Sequence, residues 1–241
     1  GEARPEGRAA RRVRRGYAGV ACERRPRNNY FEQRGIVLIN VKSVKLGELD
    51  NNCYLITDES TGEAALVDCT DASQKMLDFI GNANLKYILL THGHFDHIGG
   101  VPEIKEKFGA KVVISEADSE MLSSGKASLA AFCGINQQNT SADILVAEGS
   151  EIMLGKTKIS VIATPGHTKG GVCYLADDCI FTGDTLFFCS CGRTDFPGGS
   201  AKEIMQSLKR LSALDSALKV YPGHDRFSTI GFEKQNNPYM R

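Results

Sequence analysis

A histidine-rich cluster stands directly after an apolar stretch at residues 87–90. Its sequence is Thr91-His92-Gly93-His94-Phe95-Asp96-His97. The apolar stretch predicts a strand, and His92 and His94, two residues apart on its extended end, can point to the same side. Asp96 and His97 lie past a bend and can point to a second position. The pattern therefore predicts two adjacent ligand positions at the end of one strand.

The remaining histidines and one further aspartate repeat this placement. His167 stands in a Pro-Gly-His-Thr turn, His224 in a Pro-Gly-His-Asp turn and Asp184 in a Thr-Gly-Asp-Thr turn, each after a predicted apolar strand. The chain has 5 histidines, and all of them lie in such turns. Surface histidines would not be distributed in this way, so the set predicts an open metal site of the catalytic type. Imidazole and carboxylate ligands favour zinc, with iron and manganese left open.

The hydrophobic pattern predicts two β-rich halves, each ending in alternating strands and helices. Strands are predicted at residues 36–45, 53–57, 64–67, 87–90, 112–115, 151–154, 158–163, 171–175, 179–181 and 218–221, and helices at 73–83, 101–108, near 116 and after a capping box at 200–203. Asn51 and Asn52 are predicted to form a turn, and residues 123–143 a lid-like insertion. The predicted fold class is α/β, an αββα sandwich of two mixed β-sheets with helices on the outer faces.

The first 34 residues differ in composition from the rest of the chain. They hold ten Arg and four Glu, whereas the remainder holds 19 basic and 25 acidic residues. We interpret residues 1–34 as a disordered or expression-derived basic leader, or alternatively as a basic interaction arm, and residues 35–241 as a single catalytic domain. The acidic body argues against nucleic acid as a partner.

Cysteine usage and hydropathy bear on the compartment. The 8 Cys are too sparse for a disulfide scaffold and include no C-x-x-C pair, so we predict reduced thiols and a cytoplasmic location. No apolar run approaches the roughly 18 residues of a membrane-spanning helix, so no membrane partner is predicted. Cys189 and Cys191 are interpreted as small buried thiols, with a redox pair as the alternative. The sequence leaves the oligomeric state open.

The ligand candidates resemble those of the metallo-β-lactamase fold superfamily, which is marked by an H-x-H-x-D-H cluster followed by separate His, Asp and His ligands. The matching residues here are His92, His94, Asp96, His97, His167, Asp184 and His224. Two further motifs, Gly183-Asp-Thr-Leu-Phe187 and Gly192-Arg-Thr-Asp-Phe-Pro-Gly-Gly199, are similar to those of the glyoxalase II-like hydrolases. The resemblance covers the chain from about Asn52 onward.

The resemblance implies a binuclear metal-dependent hydrolase. It implies one divalent cation, zinc by preference, on His92, His94 and His167, a second on Asp96, His97 and His224, and Asp184 as the bridge. A hydroxide held between two cations about 3.5–4 Å apart would then attack the carbonyl of a small acyl thioester or ester. Asp96 and Asp184 would thus serve catalysis as well as metal binding.

Two residues near the ligands are candidates for supporting roles. Asp68 follows a predicted strand toward the same end of the sheets, where it would either accept the distal proton of a ligand imidazole or initiate a turn. Arg193 lies in the loop beyond Asp184, where it would either bind a substrate carboxylate or pair with Asp195.

The sequence departs from full-length glyoxalase II enzymes at its end. Those enzymes add a helical C-terminal domain that helps to bind glutathione, and only 17 residues follow His224 here. We therefore expect thioesterase activity without a clear preference for lactoylglutathione, and we do not expect true β-lactamase activity. Two alternatives stay open. One is a persulfide dioxygenase with a single iron in much the same ligand motif, and the other is a non-catalytic sandwich that binds a ligand.

Overall fold

The computed structural model describes Gly1 and residues 39–241, so the leader predicted at residues 1–34 lies, apart from Gly1, outside the described residues. The first of two six-stranded sheets is built in chain order. Its strands are β1 (Ile39–Leu46), β2 (Asn51–Asp58), β3 (Glu63–Val67), β4 (Asn84–Leu89), β5 (Lys111–Ser115) and β6 (Ile144–Val146). Strands β1 to β3 are antiparallel and β3 to β6 are parallel, so the sheet is mixed.

The second sheet is also mixed and has the order β14-β13-β10-β9-β8-β7. Its strands are β7 (Glu151–Leu154), β8 (Thr157–Ala163), β9 (Val172–Ala176), β10 (Cys179–Gly183), β13 (Lys219–Pro222) and β14 (Ser228–Thr229). Only β10 and β13 run parallel among its neighbouring pairs. A separate ribbon pairs β11 (Leu186–Phe187) with β12 (Ser190–Cys191).

Helices cover the outer face of each sheet. They are α1 (Gln74–Ile80), α2 (Phe95–Ile98), α3 (Val101–Phe108), α4 (Ala201–Ser212) and α5 (Ile230–Asn236), with 3-10 helices at Glu116–Leu122 and Ala130–Cys133. Leu66 of β3 belongs to the core cluster that includes α1 and α3, while the next residue, Val67, belongs to the cluster between the two sheets. Ile180 of β10 packs in a third cluster with residues of α4 and α5. These layers confirm the predicted αββα sandwich.

Helix α4 begins as predicted but with only half of the predicted capping box. The Ser200 hydroxyl accepts a hydrogen bond from the Glu203 amide at 3.3 Å. The predicted return bond from Glu203 to the Ser200 amide is wrong, because that amide donates to the Gly166 carbonyl at 2.8 Å. The start of α4 is thereby fixed to the turn that carries His167.

Two further predictions are corrected by the structure. The helix predicted near residue 116 is a 3-10 helix, in which the buried Asp118 side chain turns inward to bind the site loops. Asn51 and Asn52 do not form a turn, because they are buried and open strand β2. The predicted boundary of the catalytic domain at residue 35 stays a prediction, since it lies outside the described residues.

The described residues also bear on the membrane and thiol predictions. Within residues 39–241, no helix has the length and apolar character needed to cross a membrane. All of the cysteines in this part of the chain are free thiols. The cytoplasmic location stays a prediction.

Candidate metal centre

The seven predicted ligands converge at one end of the sandwich, where strands from both sheets finish. Strand β4 leads into the cluster that ends in α2, and His94 occupies the residue before that helix. His167 lies between β8 and β9, while Asp184 follows β10 and His224 follows β13. The carboxyl ends of these strands therefore carry the side chains to a single place.

The first group of candidate ligands comprises three buried histidines. Ligand atoms of His92, His94 and His167 lie within 4.8 Å of one another. The Nδ1 atom of His94 is 2.9 Å from Nε2 of His167, and the latter is 3.5 Å from an Asp184 carboxylate oxygen. Three imidazoles and one carboxylate oxygen thus surround one position.

The second group combines one aspartate with two histidines. Ligand atoms of Asp96, His97 and His224 also lie within 4.8 Å of one another. Nε2 of His224 is 3.4 Å from Asp96 Oδ2, and Nε2 of His97 is 3.3 Å from Asp184 Oδ1. Since the other Asp184 oxygen lies near His167, this carboxylate stands between the two groups.

Unsatisfied buried atoms test whether a metal fits. Three buried atoms at the site have no hydrogen-bond partner: Nε2 of His92, Nε2 of His94 and Oδ1 of Asp184. Buried polar atoms without a partner are costly and uncommon in folded proteins. Divalent cations would supply partners for His92 Nε2 and Asp184 Oδ1, whereas His94 faces the centre through Nδ1. These nitrogen and oxygen donors suit zinc, iron and manganese alike.

Burial governs the protonation of the first group. Burial lowers the pKa of His92 well below its usual range, and the neighbouring His97 and His94 rings lower it further. Burial and then the His167 ring lower the pKa of His94 to about 4. Both imidazoles are therefore neutral at pH 7, with a lone pair available to a cation.

Charge governs the second group. Burial opposes protonation of His97, but the carboxylates of Asp184 and Asp96 outweigh it, so the His97 pKa rises well above its usual range. Burial alone would raise the pKa of Asp96, yet His97 and a hydrogen bond from His224 hold it below its usual range. A cation entering here would displace a proton, so its affinity should increase with pH.

Hydrogen bonds on the distal ring nitrogens orient three of the imidazoles. Nδ1 of His97 donates to Asp68 at 2.9 Å, Nδ1 of His167 to the Arg193 carbonyl at 2.7 Å, and Nδ1 of His224 to the Leu49 carbonyl at 3.1 Å. Each bond leaves Nε2 directed at the centre. Asp68 thus occupies a position from which it can accept the distal proton of a ligand imidazole.

Two polar residues at the site were missed from the sequence. The Asn51 amide donates to Asp96 at 2.9 Å. The buried Asp118 carboxylate accepts from the Gly93 amide at 3.3 Å, the Thr168 hydroxyl at 2.7 Å and the Gly170 amide at 2.8 Å. Asp118 therefore joins the loop of His92 and His94 to the loop of His167, a connection that no local pattern indicates.

The remaining candidate residues, Arg193, Cys189 and Cys191, lie in the loop beyond Asp184. The Arg193 guanidinium forms two hydrogen bonds of 2.7 Å with Asp195 and lies 4.0 Å from the Phe196 ring centroid. Cys189 and Cys191, interpreted from the sequence as buried thiols, are half-buried. Burial raises the pKa of the Cys191 thiol, which disfavours the reactive thiolate.

A cavity of about 620 Å³ opens above the two ligand groups. Its floor includes His94, Asp96, His167, Asp184 and His224. Its walls come from the segment around Leu129, the β11–β12 ribbon and the loop of Arg193. The volume lies within the range of small-molecule sites.

Comparison with known proteins identifies the family. A profile described as the Metallo-beta-lactamase superfamily matches residues 46–224. The chain belongs to this superfamily. The hydroxyacylglutathione hydrolase GloC of Haemophilus influenzae is 31% identical over 216 residues, which cover 84% of this chain and 98% of GloC.

Solved structures of the superfamily resemble this chain closely. The B3 metallo-beta-lactamase BLEG-1 has a TM-score of 0.79 and 29% identity, covering 83% of this chain and 99% of its own. ETHE1 from Myxococcus xanthus has a TM-score of 0.70 and 32% identity, covering 83% of each chain. TTHA1623 in a di-iron-bound form has a TM-score of 0.74 and 33% identity, covering 83% of this chain and 100% of its own.

Proposed function

We propose that this superfamily member is a binuclear metal-dependent hydrolase that cleaves an acyl thioester or a related acyl ester. One observation carries the proposal. Two groups of three candidate ligands, with Asp184 between them, lie on the floor of a cavity that can hold a small molecule. A single tetrahedral site needs only three or four protein ligands, so seven residues suit two cations.

The chain's own residues would divide the work as follows. Divalent cations, when bound, lower the pKa of a water molecule and polarise a carbonyl oxygen. His92, His94 and His167 would hold one of them, and Asp96, His97 and His224 the other. Asp184 would contact both, while Asp68 and the backbone carbonyls of Arg193 and Leu49 keep the ligand rings oriented. The chemistry then requires no Ser or Cys nucleophile.

The similarity to GloC supports a thioester as the scissile group. The match spans 98% of GloC, so a protein described as a hydroxyacylglutathione hydrolase consists of little more than the shared domain. Thioester cleavage therefore needs no additional helical domain. Our expectation of little preference for lactoylglutathione stays a prediction.

The persulfide dioxygenase with one iron is the second candidate. The similarity to ETHE1 from Myxococcus xanthus, at 32% identity, favours it. Much the same ligand motif serves both candidates, so the Asp96, His97 and His224 group does not decide between them, and the number of metals bound per chain does.

Metal stoichiometry and oxygen uptake separate the two candidates. We expect plasma emission analysis of protein expressed with ample metal to give close to two metals per chain, together with thioester hydrolysis and no oxygen uptake. One iron per chain with persulfide-dependent oxygen uptake would overturn the hydrolase. Two metals without turnover of any thioester or ester would instead favour the non-catalytic ligand-binding sandwich.

A further inference from the structure

Four phenylalanine side chains from separate segments line the cavity above the metal centre. Phe95 comes from helix α2, Phe132 from the 3-10 helix Ala130–Cys133, Phe187 from strand β11, and Phe196 from the loop that precedes α4. Leu129 adds an aliphatic side chain to the same wall. The space beside the candidate ligands is therefore bounded mainly by apolar groups.

Charged groups are sparse on these walls. Apart from the candidate metal ligands, Arg193 is the one charged residue among those that line the cavity within the described part of the chain. Its guanidinium already binds both carboxylate oxygens of Asp195 and stacks on Phe196. Glutathione carries two carboxylates and an ammonium group, and the described residues that line the cavity include no second cationic side chain to pair with those carboxylates.

Phe132 is the least protected of the aromatic side chains. It is 72% exposed, although large apolar side chains are normally buried. The backbone around it is nevertheless fixed, because Ala131 donates to Gly125 at 2.9 Å and Phe95 of α2 donates to Ser128 at 2.9 Å. An exposed aromatic ring held at the rim of a cavity is suited to contact a bound molecule.

Strain in the same segment supports this interpretation. Leu129, the residue before the 3-10 helix, has a φ of 71°, in the left-handed region that a non-glycine residue adopts at a cost of about 1 kcal/mol or more. Both Leu129 and Phe132 line the cavity. A backbone held in a costly conformation beside a binding cavity is typical of a segment kept for its function.

Building on the proposed function, we infer that the substrate is a thioester or ester of an uncharged apolar acid, aliphatic or aromatic, whose acyl group packs against Phe132, Phe187 and Phe196. Hydrolysis breaks the bond from the acyl carbon to sulfur or oxygen and forms a bond from that carbon to the oxygen of water. One proton of water ends on the leaving thiol or alcohol, and the other is released from the carboxylic acid product. The leaving group requires no peptide carboxylates.

Chain length gives a quantitative test. Each additional buried CH₂ group contributes about 0.8 kcal/mol, which corresponds to about a fourfold increase in kcat/KM. The metal-loaded enzyme is assayed with acetyl, butyryl, hexanoyl and phenylacetyl thioesters of N-acetylcysteamine, an uncharged thiol, and with the butyryl thioester of glutathione. We expect kcat/KM to rise at least tenfold from acetyl to hexanoyl, with the two butyryl compounds within tenfold of each other.

Variants assign the effect to the aromatic wall. Phe132→Ser should reduce the increase from acetyl to hexanoyl, and Phe132→Leu should restore most of it. Leu145→Ser is the matched control, because Leu145 is 54% exposed on β6 and does not line the cavity. We expect this control to keep the wild-type dependence on chain length.

The possible failures are distinguishable. A flat or falling dependence on chain length in the wild-type enzyme would overturn the inference and leave the hydrolase intact. A preference of about a thousandfold for the glutathione compound would do the same, since it equals about 4 kcal/mol of specific peptide recognition. Failure to cleave any thioester or ester with two metals bound would overturn the proposed function as well.

Discussion

Strand β2 runs from Asn51, beside the metal centre, to Asp58, and its two ends lie in contrasting polar surroundings. The Asp58 carboxylate is buried and accepts hydrogen bonds on both oxygens. At the other end, Asp184 faces histidine rings, and its Oδ1 atom accepts no hydrogen bond. A buried carboxylate with all its partners supplied by the chain stabilises the fold, whereas one that lacks them indicates a missing ligand.

Hydrogen bonds around Asp58 connect the two sheets. Its Oδ1 accepts from the Ser60 amide and the Thr61 amide, both at 2.9 Å, in the turn after β2. Its Oδ2 accepts from the Lys156 amide and the Thr157 amide, again both at 2.9 Å, at the turn between β7 and β8. These bonds outweigh burial and hold the Asp58 pKa well below its usual range.

Replacing Asp184 should have the largest effect and should act on function. The Asp184→Ala variant loses a candidate ligand to both cations at once, so we expect kcat to fall about a thousandfold or more, equivalent to about 4 kcal/mol. The measurements are steady-state kinetics and metal content by plasma emission. A variant with substantial turnover and unchanged metal content would mean that the ligand assignment is wrong.

The Asp58→Ala variant, by contrast, should lose stability and keep its activity. It leaves several buried donors without an acceptor, so the free energy of unfolding should fall by about 3 kcal/mol or more, with kcat per folded molecule unchanged. Urea unfolding of metal-free protein measures the loss. Asp78→Ala is the control, since Asp78 is exposed on α1 and its removal should change stability by less than about 0.5 kcal/mol. If Asp58→Ala and Asp184→Ala lowered the free energy of unfolding of metal-free protein equally, the contrast between the two ends of strand β2 would be wrong.

The Asp68→Asn variant should have an intermediate effect. Asp68 accepts from His97 Nδ1 at 2.9 Å, and an amide of the same shape accepts that proton more weakly. We expect metal affinity to fall about 10- to 100-fold, as measured by competition with a chelator. Unchanged affinity would show that the His97 ring keeps its orientation without this carboxylate.

Acid should reduce the contribution of Asp58 to the stability of the fold. Since the pKa of Asp58 is lower in the folded than in the unfolded chain, its stabilisation is complete above the unfolded value of about 3.9 and is lost as pH falls below it. The stability difference between wild type and Asp58→Asn should therefore shrink from pH 7 to pH 3. Chemical denaturation of both proteins with chelator present tests this, and a difference that grows on acidification would contradict it.

The Arg193→Ala variant should have the smallest effect. The guanidinium is exposed and paired with Asp195, and the Arg193 group that contacts a candidate ligand is its backbone carbonyl, which the substitution keeps. We expect kcat and KM for an uncharged acyl thioester to change by less than about threefold, in line with the modest value of exposed ion pairs. A tenfold increase in KM for the butyryl thioester of glutathione, which carries carboxylates, would restore the role in binding a substrate carboxylate predicted from the sequence.

Local patterns account for what could be predicted from the sequence. Apolar runs separated by Gly, Pro and Asn indicated most strands, and the turns after those strands carry the seven side chains that converge. The four-residue helix α2 is too short for a hydrophobic period to reveal it. Asp118 could not be assigned, because its three donors meet it only after the chain folds. Asn51 was mistaken for a turn residue because the Asn-Asn pair also suits a turn.

The distribution of the candidate ligands along the chain has a consequence for assembly. Four of them, His92 to His97, follow strand β4 of the first sheet, while His167, Asp184 and His224 follow strands of the second. Neither half of the described chain therefore carries a complete coordination set. A cation in this position would act as a reversible cross-link between the sheets. Two fragments divided at residues 147–149, between β6 and β7, would regain tight metal binding only by complementing each other.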